Sequence, residues 1–386
     1  MPLNHFGLHT VAKLRFDDTE YLHPSVPGKV VLVMQGGGAQ AAYEGGVYQA
    51  LHEAGIEPDW VIGTSIGAIN GSIIAGNQVG SRLERLREFW SRIESRPTWP
   101  STFGNTANQL TTLLTGVPGF FSPNAAFLWG PDAAVGVERA ALYSVDPLRN
   151  LLPELVDFDL VNSGKPRFTL GLVSVRSGQI RYFDSRQEKI GLDHVLGSSA
   201  VPPTFPAVRI DGEAYWDGGI YSNTPVEAVF DDYPRRSSVV FAVQIWHARG
   251  EEPESVAQVF ARQKDIMFGS RSMSHIAAQA KLHRMRHVVR TLVDMLPEEK
   301  RNTPEAQELA EYGCATTMHL LEINAARLDR ESNSREYDFS PATIDTRWQA
   351  GYADTCRVID RRPWNNPIDP AVGVALYASD VDEKVS

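Results

Sequence analysis

The sequence is poor in cysteine, with only Cys314 and Cys356 in a chain of 386 residues. Two cysteines exclude a disulfide framework, and they show neither C-x-x-C nor zinc-finger spacing. Basic residues are outnumbered, Lys+Arg 37 against Asp+Glu 47, for a formal net charge of −10. General nucleic-acid binding needs an excess of clustered Lys/Arg, so that class is set aside. Long apolar runs are missing as well, since no stretch approaches the roughly 18–20 residues of a membrane span. The opening Met1-Pro2-Leu3-Asn4-His5-Phe6-Gly7 lacks the basic segment, apolar run and cleavage site of a secretion signal. Internal repeats and low-complexity tracts are absent. The expectation is a reduced, water-soluble, cytoplasmic protein.

What is there is a chain with 42% hydrophobic residues, enough for a sizeable core. Its length suits two domains, or one large α/β domain with an added module. After a poorly patterned lead-in over residues 1–28, Lys29–Gln35 is a β-branched apolar run that stops at Gly36-Gly37-Gly38. Such a run reads as a buried parallel strand. Helical character follows to Gly55, then a second short strand Trp60-Val61-Ile62, the turn Gly63-Thr64-Ser65-Ile66-Gly67, and a small-residue helix Ala68–Ala75. This rhythm predicts an α/β sheet with helices on its faces. An amphipathic helix is expected over Leu83–Trp90, and strands over Arg167–Val175, Gln179–Phe183 and Ser238–Ile245. The irregular stretch 96–135 holds Trp99, Phe103, Phe120, Phe121, Phe127 and Trp129, which serve equally as a lid or as ordinary core. Long helical patterns over 254–296 and 304–312, a strand near Thr317–Ile323, helices to about 360 and a tail complete the reading.

Three short segments can carry chemistry. Gly63-x-Ser65-x-Gly67 after an apolar strand fits a nucleophile elbow, in which small neighbours let a serine project from a sharp turn. The helix after it aims its N-terminal amides toward a developing oxyanion. Gly36-Gly37-Gly38 frees backbone N–H groups that can hold a phosphate or an oxyanion. A dinucleotide fingerprint would need GxGxxG, whereas position 41 is Ala, and no P-loop Gly-Lys-Ser/Thr follows. Asp217-Gly218-Gly219 is the third segment. Asp-Gly pairs usually mark surface turns, but Ala214-Tyr215-Trp216 before it would partly desolvate the carboxylate and strengthen it as a base.

With these motifs quoted, the chain resembles the bacterial patatin-like phospholipase family. The family's motifs GGGx[K/R]G, GxSxG and DG[G/A] match Gly36–Ala41, Gly63–Gly67 and Asp217–Gly219 in order. Gly45-Gly46-Val47-Tyr48-Gln49-Ala50-Leu51 and Ser198–Pro206 resemble the family's flanking segments. The resemblance covers roughly residues 29–247, and the remainder resembles a C-terminal extension of many bacterial members. It implies a three-layer α/β/α fold with a mainly parallel central sheet, plus a largely helical C-terminal module. The implied division is a lead-in at 1–28, a catalytic domain at 29–247 and an extension at 248–386.

The resemblance further implies a Ser65/Asp217 dyad without a catalytic histidine and an acyl-enzyme on Ser65. The oxyanion hole would come from Gly36, Gly37, Gly38 and Ala39, with Gly63, Gly67, Gly218 and Gly219 supporting the turns. The substrate would be a lipid ester, with no cofactor, no metal and no nucleic acid. A peripheral contact at the inner membrane surface is part of the same expectation, and the oligomeric state is left open. Two positions depart from the family: Gln40 stands where it has a basic residue, and Ala41 where it has glycine.

Two other readings are weighed. A Ser–Asp–His triad of the α/β-hydrolase type could draw on His247, His275, His283, His287 or His319, yet the glycine triplet and elbow sit too close together for that fold. A non-catalytic lipid-binding regulator would not require both Ser65 and Asp217. The pair His283/His287 has i, i+4 spacing but lacks the Glu of HExxH. Beside Lys281, Arg284, Arg286 and Arg290 it reads as a solvated or membrane-facing basic stripe.

Overall fold

Six apolar runs pair side by side as parallel strands. Their spatial order is Val374–Ala378, Met318–Asn324, Ser238–Gln244, Lys29–Met34 (β1), Trp60–Gly63 (β2) and Arg167–Ser174. Glu213–Asp217 joins antiparallel beyond β2, Val208–Ile210 follows it, and Ile180–Asp184 also pairs antiparallel with Arg167–Ser174. The structure is a computed structural model and describes residues 26–95, 111–112, 114–327 and 335–378. Most of the expected lead-in, together with Trp99 and Phe103, lies outside the described residues.

The sheet is covered on both faces, which is why β1 reads as a continuous apolar run rather than an alternating one. Val30, Leu32 and Met34 point into one core with α1 (Ala42–Glu53), α2 (Ile66–Ala75) and the helix Pro341–Arg361. Val31 and Val33 point into a second core with Val226, Phe230 and Ile276, the last from the long helix Val256–Asp294. This is the expected three-layer α/β/α arrangement with a mainly parallel sheet.

The chain beyond residue 247 is largely helical, yet it is woven into the sheet. Met318–Asn324 pairs with Ser238–Gln244, and Val374–Ala378, expected as tail, forms the edge strand. The helix Pro341–Arg361 lies so close to α1 that a Cβ at Gly46 would overlap the carbonyl of Trp348. Trp348 is buried there and donates from Nε1 to Gln49 Oε1 at 2.7 Å.

Two expectations are corrected. His283 and His287 are no solvated stripe: they are 0% and 5% exposed, because the buried side of the long helix carries Asp265, Gly269, Ser272, Ile276, His283 and His287 at helical spacing. The aromatic stretch divides. Phe120 and Phe121 are core and pack on Tyr143, Phe205 and Phe339, while Phe127 and Trp129 stand exposed.

Candidate active site

The sheet register brings the serine and the aspartate together. Gly63, at the end of β2, is level with Leu170 of the neighbouring strand. Ser65 lies two residues further on, where β2 has stopped and Glu213–Asp217 takes its place with Asp217 opposite Leu172. The Ser65 side chain is close enough to Asp217 for its hydroxyl to favour the ionised carboxylate. The end of one helix spaces both backbones: Ser65 N–H donates to Ser198 O and Asp217 N–H to Ala200 O, each at 3.1 Å. Carboxyl ends of parallel strands are where open α/β sheets place their ligands.

Ser65 occupies the sharp turn between β2 and α2. Its φ of 57° and ψ of −128° are unusual for a residue with a side chain and cost of order 1–3 kcal/mol. The turn demands small flanks, since a Cβ on Gly67 would lie 2.6 Å from Met34 O. Ser65 is half-buried at the N-terminus of α2, where the helix dipole favours negative charge.

Asp217 is 2% exposed and accepts the Gly219 N–H at 2.7 Å. Burial pushes its carboxyl up from 3.8 to about 7, against the pull of the Ser65 hydroxyl and the Gly219 amide. Among the described residues its carboxyl accepts from the Gly219 N–H and lies beside the Ser65 hydroxyl, and no histidine partners it. His275 faces Ser222 and Glu227 instead, His319 stacks on Tyr377, and His283 and His287 belong to the far part of the long helix.

Gly36-Gly37-Gly38 leaves the end of β1, which runs beside β2 with Met34 opposite Gly63. Gly36 lies against the serine: a Cβ there would be 2.8 Å from Ser65 Cβ. The Gly36 carbonyl accepts from Asn223 Nδ2 at 2.9 Å and Trp246 Nε1 at 2.6 Å. In a trans peptide the C=O and the following N–H point opposite ways, so this clamp turns the Gly37 N–H away from its own anchors. No acceptor takes that N–H among the described residues. Gly38 has φ 58°, a left-handed conformation suited to glycine, and its open side is filled by the backbone of Glu336. Gln40, the departure from the family pattern, is buried and donates to Gly37 O at 3.4 Å.

Sequence reasoning missed the clamp residues Asn223 and Trp246, and also Gln35. The Gln35 side chain donates to Thr224 Oγ1 at 2.7 Å and to Gln244 and Ser272 at 3.1 Å. Its own N–H donates to the fully buried Glu44, whose carboxyl burial pushes up to about 8. Asn223 alone had a signal, standing in the segment that follows Asp217. A cleft of about 600 Å³ lies at the opposite, amino ends of the strands, lined by Lys29, Asp59, Trp60 and Arg167, and holds neither Ser65 nor Asp217.

Comparison with known proteins places the chain in a family. Residues 32–230, just over half the chain, match the family model "Patatin-like phospholipase", and residues 266–371 match a second, "Patatin phospholipase". An uncharacterised NTE family protein of Mycobacterium bovis is 33% identical over 154 residues, 34% of this chain and 26% of that protein. Patatin-like phospholipase domain-containing protein 6 of Homo sapiens is 40% identical over 63 residues, 16% of this chain and 5% of that protein. Lysophospholipase nte1 of Aspergillus terreus is 45% identical over 67 residues, 17% and 4% of the two chains. The chain thus spans about a quarter or less of the length of these relatives. The crystal structure of VipD from Legionella pneumophila aligns over 88% of this chain and 68% of its own at 15% identity, with a TM-score of 0.38. The matched residues include all three glycine motifs, and the chain belongs to the patatin-like phospholipase family.

Proposed function

We propose that the protein is a serine acyl-ester hydrolase that releases fatty acid from phospholipid or related lipid esters. The observation that carries this reading is the placement of Ser65, at the sharp turn after β2, beside a buried Asp217 whose carboxyl burial pushes up to about 7. An aspartate at its ordinary value near 3.9 is a weak base toward an alcohol; one raised to about 7 is a much better one and still ionises at working pH.

In the proposed sequence Ser65 Oγ attacks the ester carbonyl carbon and gives its proton to Asp217. The oxyanion is met by the N–H groups of Gly37 and Gly38, with Gly36 and Ala39 shaping the loop; one such donor is worth about 2.7–4 kcal/mol. Collapse expels the alcohol, which takes the proton from Asp217, and leaves an acyl-enzyme on Ser65. Asp217 then draws a proton from water, which attacks the acyl carbon; collapse frees the fatty acid, and Asp217 returns the proton to Ser65 Oγ. No step calls for a metal or a redox cofactor. The relatives named as phospholipase and lysophospholipase support a lipid ester as substrate.

Contact with a lipid surface completes the proposal. Leu128 is 87% and Trp129 78% exposed, and Leu282, Met285 and Leu292 are exposed on the long helix among Lys281, Arg284 and Arg290. Apolar side chains rimmed by cations suit an anionic interface. Among the described residues no helix is long and apolar enough to cross a membrane. The location proposed with this reading is the cytoplasm, with peripheral contact at the inner membrane surface.

The test is hydrolysis of p-nitrophenyl acyl esters and mixed lipids by wild type, Ser65→Ala and Asp217→Asn. Loss of turnover in both variants supports the dyad. Equal slow hydrolysis by wild type and Ser65→Ala refutes an enzyme, and full activity of Asp217→Asn refutes the dyad while sparing Ser65.

A further inference from the structure

Far along the long helix from the catalytic loop, His283 and His287 share one buried face, as residues four apart on a helix do. Cys314 stands opposite them, in the segment that leads into strand Met318–Asn324. One potential ligand atom from each of the three residues lies within 4.8 Å of the other two.

The hydrogen bonds of the two rings do not close by themselves. His287 sits between two carbonyl oxygens, Pro370 O at 2.8 Å from Nδ1 and Thr316 O at 2.7 Å from Nε2. A neutral imidazole has a single N–H, so one ring nitrogen turns a lone pair toward an oxygen unless a cation lies there. His283 spends Nε2 on the same Thr316 O at 2.9 Å, while its Nδ1 is buried with no partner. His283 thus has Nδ1 without a partner, and His287 has one nitrogen that, in the neutral ring, cannot donate to the carbonyl it faces. Metal-ligating histidines have this pattern, the N–H not used for the metal being held by a carbonyl that sets tautomer and orientation. Arg286, the nearest guanidinium on the helix, is committed to Phe230 O and Asp231.

We propose that His283, His287 and Cys314 form a binding site for a zinc-type divalent cation, separate from Ser65 and Asp217. Nδ1 of His283, Nε2 of His287 and the Cys314 thiolate would supply two nitrogens and one sulfur, a set that suits Zn²⁺ in tetrahedral geometry. Thr316 or a water would fill the fourth position. Bonds of about 2.0–2.3 Å ask for a modest contraction of side chains already gathered. The role is structural: the ion would tie the long helix to the approach of strand Met318–Asn324 and to the turn before the edge strand Val374–Ala378. That same helix reaches the catalytic loop, where Arg271 donates to Ile220 O.

The chain has only two cysteines, which makes the test selective. The full-length protein is assayed for zinc by mass spectrometry, then stripped and reloaded with Co²⁺. About one equivalent of zinc, a thiolate-to-cobalt charge-transfer band with tetrahedral visible bands, and a melting temperature that falls on chelation support the site. The band should vanish in Cys314→Ser and persist in Cys356→Ser. If Cys314→Ser does not fold, the wild-type and Cys356→Ser spectra decide alone, because a band in both can arise only from Cys314. A spectrum of cobalt in water with no thiolate band, and a melting temperature indifferent to chelator, overturn the proposal.

Discussion

The side-chain amide of Asn223 donates to the carbonyl of Gly36 at 2.9 Å across 187 positions of sequence. Trp246 Nε1 reaches the same oxygen. Together they tie the loop after the aspartate, the glycine loop after β1 and the end of strand Ser238–Gln244 into one unit around Ser65.

Asn223→Ala should therefore lower the turnover number of ester hydrolysis by up to about 10²-fold, less than outright loss of an oxyanion donor. Trp246 would still hold Gly36, so the fold should survive. Steady-state kinetics with a soluble ester beside a circular-dichroism melt check this; an unchanged kcat would sever the clamp from catalysis.

The Asp217 carboxyl predicts two opposite pH responses. In the proposed dyad the carboxylate is the base, so kcat/KM should rise with pH through a midpoint near 7. Stability runs the other way. Because the folded value lies above the unfolded one, the group's contribution is complete below about 3.8 and is lost as pH rises through about 7. Asp217→Asn should melt higher than wild type at pH 8, with the advantage gone by pH 4, while hydrolysing ester hardly at all. Melting temperatures of both proteins across that range test the sign.

Trp348 joins the C-terminal helix to α1, packed over Gly45 and Gly46 and bonded to Gln49. Trp348→Ala should cost about 3–5 kcal/mol, measured by urea unfolding. A chain ended after residue 247 would lack two strands of the parallel sheet and the cover of α1, so it should be recovered insoluble or unfolded. A cooperative melt of that fragment would contradict this.

At the amino ends of the strands, Arg167 is buried between Asp184 and Asp232, with Nε 2.8 Å from Asp184 Oδ2 and Nη2 2.9 Å from Asp232. Removing Asp184 leaves Asp232 as the one carboxylate on the buried guanidinium and loses hydrogen bonds to a charged group, at a cost of about 1.5–3 kcal/mol. Asp184→Asn should thus unfold at markedly lower urea without altering the pH profile of hydrolysis.

Leu128 and Trp129 offer a test of the lipid contact. Replacing both by serine should weaken sedimentation with anionic vesicles and slow hydrolysis of vesicle-borne lipid, leaving a soluble ester untouched. Equal loss on both substrates would place the defect in the site rather than at the interface.

What could be read from the chain alone were features whose causes are local. A glycine triplet after a β-branched run, small residues around Ser65 and an Asp-Gly-Gly turn are steric statements about neighbouring atoms, so the strands at Lys29–Met34 and Trp60–Gly63 and the three motifs were legible. So was the long helix, from its periodicity. The edge strand Val374–Ala378 was not, since its five residues become a strand only by pairing with Met318–Asn324.

The tertiary structure decided the rest, because burial and pairing depend on distant segments. The register of Arg167–Ser174 set Asp217 beside Ser65, and desolvation there moved its carboxyl toward neutrality. Asn223, Trp246 and Gln35 gained their importance from backbone groups far along the chain. A scarcity of cysteine excluded a disulfide framework and zinc-finger spacing from sequence alone; only packing brought Cys314 beside two buried histidines.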